Sequence, residues 1–189
     1  MTHPLGPHPR PKQAPARDLR KLERFQTGAR QDAVDPRIVA FASRLARSHR
    51  PDDHLAIVRE LFRWVRDGIR YQPDADRVQD YSDAETILER GWGNCVTKTR
   101  LLVALLRALG YEAEFVDRWK VGPDGKPWMN HVQVRVRFPG SSSILGNVGG
   151  WLYGDLTIRG AELAQDPREI ASQADTGRLP WSGELAQDD

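Results

Sequence analysis

The stretch ERGWGNCVTKTRLLVALLRALGYEAEF, residues 89–115, decides the fold. Gly91 and Gly93 permit a tight turn. From Val96 to Leu109 the chain is apolar on nearly every side, which predicts a helix enclosed in a core rather than lying on a surface. Cys95, the only cysteine of the chain, falls at the first turn of that helix. Unpaired N–H groups and the positive end of the helix dipole favour an anion there. A thiolate is the nucleophilic form of cysteine, and the same donors suit an oxyanion. The alternative is a structural cysteine filling space beside Trp92.

Upstream, residues 35–49 (DPRIVAFASRLARSH) carry Ile38, Phe41 and Leu45 at helical spacing behind an Asp-Pro start signal. In residues 51–71 (PDDHLAIVRELFRWVRDGIRY), Leu55, Val58, Leu61, Phe62 and Val65 form one face of a second helix that ends near Gly68, with a short extended exit over IRYQPD. Ser82 and Glu85 have capping-box spacing, predicting a short helix through Leu88 that stops at Gly91. Downstream the period changes. YEAEFVDRW alternates, VGPDGKP reads as a turn, and HVQVRVRF alternates strictly, so residues 111–138 form an antiparallel hairpin. SSSILGNVGG reads as a loop, WLYGDLTI as a further strand, and DPREIASQA as a short helix. Helices followed by strands give an α+β fold: a helical layer with a buried central helix packed against a small antiparallel sheet.

The 189 residues, 39% hydrophobic, suit one domain with a real core. Residues 1–30, basic and Pro-rich, are expected as a flexible arm, 31–160 as the domain proper, and 161–189 as a polar C-terminal extension. A net charge of +2 does not point to nucleic acid. One cysteine forms no internal disulfide, and neither a CxxC nor a Cys/His cluster offers a zinc site. No run of about 18 apolar residues spans a bilayer, and the N-terminus lacks the apolar core of a signal peptide. The expectation is a cytoplasmic protein with no membrane segment.

A nucleophilic cysteine requires an imidazole to handle its proton, and the imidazole requires a group to orient it. Of five histidines, His3 and His8 lie in the arm, His49 and His54 flank an interhelix loop, and His131 opens an alternating strand. His131 shares a strand face with Gln133 and Arg135, while Val132, Val134 and Val136 take the other. Asp155 interrupts an otherwise apolar segment and needs a partner. Taken alone it reads as a turn Asp accepting backbone N–H bonds beside Thr157.

Together these residues resemble the transglutaminase-like superfamily, which shares the papain-like cysteine protease fold. The resemblance rests on GWGNC entering LLVALLRALGYEAEFV, on the His opening NHVQVRV, on the Asp of WLYGDLT and on LFRWVRDGIRYQPD upstream, and spans residues 52–158. It implies Cys95 as nucleophile, His131 as general base and then acid, and Asp155 as the residue orienting His131. Relatives often carry an acidic residue beside the cysteine, where this chain has Asn94 and VTK, and Asp-Pro-Thr is here Asp-Leu-Thr. Lys98 either favours the thiolate or is solvated. Gln79 is a candidate second oxyanion donor, and Trp92 and Trp128 are candidate walls of an acyl groove. No calcium-binding carboxylate cluster is evident, and neither metal nor cofactor is expected.

The implied activity is acyl transfer on amide bonds through a thioester, on a protein or peptide substrate. Hydrolysis by a cysteine peptidase or amidase is favoured over protein cross-linking by a transamidase. A different class is a non-catalytic binding or assembly module on the same fold, for instance within a phage particle. Arylamine acetyltransferases use the same three residue types but are usually longer. The oligomeric state is left open.

Overall fold

The computed structural model describes residues 16–72, 80–121, 127–146, 149–166, 169 and 185–186. Its centre is helix α5, Cys95–Ala108, in which Leu101 through Leu106 are fully buried. A helix apolar all round is stable only if covered all round. Four helices and both strands of the long hairpin touch it.

The helical side is α1 (Ala16–Asp32), α2 (Pro36–Ala46), α3 (His54–Gly68) and α4 (Ala84–Arg90). Asp35 caps α2 by accepting from the backbone N–H of Arg37 and Ile38, and Asp53 caps α3 by accepting from that of Ala56. Ile57, Val58, Leu61, Phe62 and Val65 supply the buried face of α3, while Leu55 is only partly covered. The strand side is a sheet in the order β5-β4-β3-β6, antiparallel throughout, built from β3 (Glu112–Val121), β4 (Pro127–Arg137), β5 (Leu152–Gly154) and β6 (Leu185–Ala186). Ala113, Phe115, Val132, Val134 and Val136 join the core. The register sets Glu112 opposite Arg137 and Glu114 opposite Arg135, and both pairs form ion pairs across the strands. The α+β reading, with its buried helix, helical layer and small antiparallel sheet, therefore holds.

Four expectations change. The arm proposed for residues 1–30 is helical from Ala16 onward: Phe25 and Ala29 are buried, and Asp32 pairs with Arg100 of α5 at 2.6 Å. Leu19, Leu22, Phe25 and Ala29 recur at helical spacing, a stripe that the basic, Pro-rich average conceals; residues 1–15 lie outside the described ones. The capping box at Ser82 and Glu85 does not form. Asp83 is the cap and accepts from the backbone N–H of Thr86 at 2.8 Å, while the Ser82 hydroxyl donates to Asp80 at 2.6 Å. An aspartate one position later is as good a cap as serine, so the box pattern misplaces the start by one residue. Residues expected as a loop contain a short helix α6, Ser141–Leu145. The polar extension does not begin at 161, because Ala161, Leu163 and Ala164 are buried and Ala164 bridges to Tyr153. The apolar residues of that segment are too few to register as an element by period. The hairpin turn at 122–126 and nearly all of the helix expected over 166–174 lie outside the described residues. Among those described, no helix is long and apolar enough to cross a membrane.

Candidate active site

Helix α4 ends at Gly91, whose φ of 70° turns the chain into β2 (Trp92–Gly93). This strand runs parallel to β1 (Arg70–Tyr71), with Arg70 N–H donating to the Gly91 carbonyl and Gln72 N–H to that of Gly93, both at 2.9 Å. The end of α3 thus fixes the approach to Cys95. A Cβ on Gly93 would lie 2.5 Å from Thr97 Oγ1, so only glycine fits. Asn94 is the N-cap of α5: its Oδ1 accepts from Thr97 N–H at 2.8 Å, and Thr97 Oγ1 accepts from Asn94 N–H at 2.9 Å. The residue preceding the cysteine is thus the one that starts the helix.

Cys95 is therefore the first residue of α5 and is partly exposed. Its own N–H is one of those a helix leaves without an internal acceptor. The thiol lies close enough to His131, which is buried in β4, to help raise its proton affinity. Nε2 of His131 lies 2.5 Å from Oδ2 of Asp155. Asp155 stands immediately after β5, at the end of the sheet edge that pairs with β4. Its Oδ1 accepts from the backbone N–H of Thr157 at 2.8 Å and from the Thr157 hydroxyl at 2.7 Å. Gln133 Nε2 donates to Oδ2 at 3.3 Å. Both readings of Asp155 are satisfied, one per oxygen: Oδ1 closes a turn, and Oδ2 meets the imidazole.

The electrostatics follow from burial and pairing. Burial alone pushes His131 down, but the Asp155 charge, the hydrogen bond to it and then Cys95 outweigh burial and carry it up to about 10. Burial likewise pushes Asp155 up, and His131 followed by the Thr157 hydrogen bonds outweigh this, holding it at about 2. At neutral pH the two form an imidazolium–carboxylate pair in contact with the thiol. Such an arrangement holds a proton in reserve beside the sulfur.

The structure brings together Cys95, His131 and Asp155. Trp92 is partly buried beneath the Arg90 guanidinium, 3.8 Å from its ring centre. Gln79 and the side chain of Trp128 lie outside the described residues. Lys98 is neither solvated nor paired with the thiol. It is fully buried and donates to the carbonyls of Arg66 at 2.8 Å and Ile69 at 2.7 Å, holding the last turn of α3. Burial lowers it to about 8. Sequence reasoning did not assign Gln133 or Thr97 a part in the site. Gln133 carried a signal, since it lies two residues beyond His131 on the same strand face. Thr97 carried another, three residues beyond a good N-cap. Among the described residues, no group of three or more His, Cys, Asp or Glu is placed to hold a metal ion.

Residues 40–155 match the family model of the transglutaminase-like superfamily. No curated protein matches the chain. Similar solved structures include two proteins. One, a "putative protease" from Parabacteroides distasonis ATCC 8503, is 18% identical, with a TM-score of 0.48 over 76% of this chain and 31% of its own. The other, a "putative cysteine protease" from Cytophaga hutchinsonii, is 16% identical, with a TM-score of 0.49 over 87% of this chain and 50% of its own. The chain thus spans about a third and a half of the lengths of these two proteins.

Proposed function

The chain belongs to the transglutaminase-like superfamily, and on that premise we propose that it is a thiol hydrolase of amide bonds in peptides or proteins. The observation that supports this reading is the His131–Asp155 hydrogen bond beside Cys95, which opens a buried helix. The thiolate of Cys95 is the attacking form, and His131 beside it carries the proton that the departing amine needs. Sγ attacks the carbonyl carbon, and the π pair moves to oxygen, where the Cys95 N–H stabilises the charge. Collapse of this adduct breaks the C–N bond as His131 gives its proton to the departing amine. The products of this half are an amine and a thioester on Cys95.

His131, now neutral, takes a proton from water as the oxygen attacks the thioester. The thiolate leaves, and the resting imidazolium is restored. Asp155 keeps the ring oriented and its charge compensated through both halves. A lysine amine in place of water would give an isopeptide bond by the same chemistry.

The test uses a tryptic digest of total cell protein, incubated with the wild type or with Cys95→Ala and analysed by mass spectrometry, with and without added methylamine. Expected are new peptide termini with the wild type alone. Methylamides in place of new carboxylates would identify transamidation, and a digest left unchanged by the wild type would overturn both.

A further inference from the structure

Beside the Asp155 end of the site lies a cleft of about 690 Å³. Three contacts tie it to the site. Thr157, on its wall, donates to Asp155; Tyr71, also on the wall, pairs with Gly93, two residues before Cys95; and Lys98 follows Cys95 by one helical turn. Its lining holds four cationic side chains, Arg66, Arg70, Lys98 and Arg159, against one carboxylate, Asp67.

These cations are not equally committed. Arg66 is already spent, bonded to Asp67 at 2.6 Å, to Glu162 at 3.3 Å and to the carbonyl of Ala161. Lys98 places two of its three N–H groups on main-chain carbonyls, and its charge is offset by Asp67 and Asp155 nearby. Arg70 meets only the neutral Gln72 amide, at 3.2 Å, and among the described residues neither Arg70 nor Arg159 forms an ion pair. Both are exposed, so their guanidinium groups are available to a ligand. The floor includes the buried side chains of Ile69 and Leu156. Two exposed guanidinium groups outside any ion pair among the described residues, above an apolar floor, suit a carboxylate on a short apolar stem, because the fork of donors matches two oxygens and the stem buries.

We propose that this cleft is a substrate subsite for an acidic side chain, Asp or Glu, lying within a few residues of the bond to be cleaved. The assignment rests on the proposed function. Adjacent strands are about 4.8 Å apart and an extended chain advances about 3.3 Å per residue, which keeps the cleft within a short peptide's reach of the thiol.

The experiment uses capped tetraglutamate and capped tetraglutamine, titrated calorimetrically into Cys95→Ala so that nothing turns over. Tetraglutamate is expected to bind at least about tenfold more tightly. Arg70→Gln/Arg159→Gln should remove most of that preference, and Arg70→Lys/Arg159→Lys should retain part of it. Arg44→Gln/Arg47→Gln, which removes the same charge from the last turn and C-cap of α2, should retain all of it. On the wild type, tetraglutamate should also slow alkylation of Cys95 by iodoacetamide, where tetraglutamine does not.

Equal binding of the two peptides, equal losses in the two glutamine double variants, or binding without protection of Cys95 would each overturn the assignment. Binding is measured without chemistry, so an inert thiol would defeat the proposed function while leaving this test readable. A protein that cleaves peptides without regard to acidic residues would do the opposite.

Discussion

Asn94 and Thr97 cap helix α5 reciprocally: the Asn94 amide oxygen accepts from the Thr97 N–H at 2.8 Å, and the Thr97 hydroxyl accepts from the Asn94 N–H at 2.9 Å. The cysteine is the next residue along the chain, so the bonds that start the helix also set its position. Asn94→Ala should cost about 1 kcal/mol in denaturant unfolding. Its Cys95 alkylation rate should fall even where the protein is fully folded, and Thr97→Ser should behave like wild type in both measurements. An Asn94→Ala protein with normal thiol reactivity would separate the cap from the site.

Gly154 has no room for a side chain, because a Cβ would meet Phe62 and Leu163. Gly154→Ala should therefore cost about 1–3 kcal/mol by overpacking β5 against α3. Removing the ring in Phe62→Leu should relieve part of this, giving a coupling on the order of 1 kcal/mol in a double-mutant cycle. Additive losses would mean that the strain lies elsewhere.

Lys98 holds two main-chain carbonyls at the end of α3, and its burial lowers it to about 8 from 10.5. Lys98→Met should be destabilising, because each carbonyl left without a donor costs about 1–3 kcal/mol, partly offset by removing a buried charge. Between pH 8 and 10.5 the unfolded state binds more protons at this residue than the native state, so the Lys98 contribution rises with pH. The stability gap between wild type and Lys98→Met should accordingly widen above pH 8. A gap independent of pH would contradict the depressed value.

His131 and Asp155 supply the opposite signature. His131 is raised from 6.5 to about 10, so its contribution is complete below pH 6.5 and lost as pH rises through about 10. Asp155 is lowered from 3.8 to about 2, so its contribution is complete above pH 3.8 and lost as pH falls through about 2. The difference in unfolding free energy between wild type and Asp155→Asn should be greatest between about pH 4 and 6.5 and shrink on both sides. A flat difference would show that the pair does not titrate together.

How much of this was legible beforehand depended on whether a residue's role is periodic or contextual. The buried helix, the hairpin and the α2 and α3 faces were readable because apolar residues recur at fixed spacing. Cys95, His131 and Asp155 were readable as candidates because each breaks the pattern of its own segment. Helix α1 was missed because its apolar stripe is diluted by arginine and lysine. Lys98 was misread because a lysine side chain long enough to reach solvent is also long enough to reach the carbonyls of α3. Nothing in the spacing of Lys98, Arg66 and Ile69 reveals that the two segments meet. The same holds for the cationic cleft, whose walls come from α3, β1, α5 and the turn after Asp155.

The most direct test of the central claim is the rate of Cys95 alkylation by iodoacetamide from pH 5 to 9, in the wild type and in His131→Ala. A single cysteine makes the readout unambiguous. The expected result is a wild-type rate at pH 6 well above that of a small-molecule thiol with a pKa near 8.5, and a large fall in that rate when His131 is removed. A thiol that reacts no faster than the small-molecule reference at pH 6, or one indifferent to His131→Ala, would contradict it.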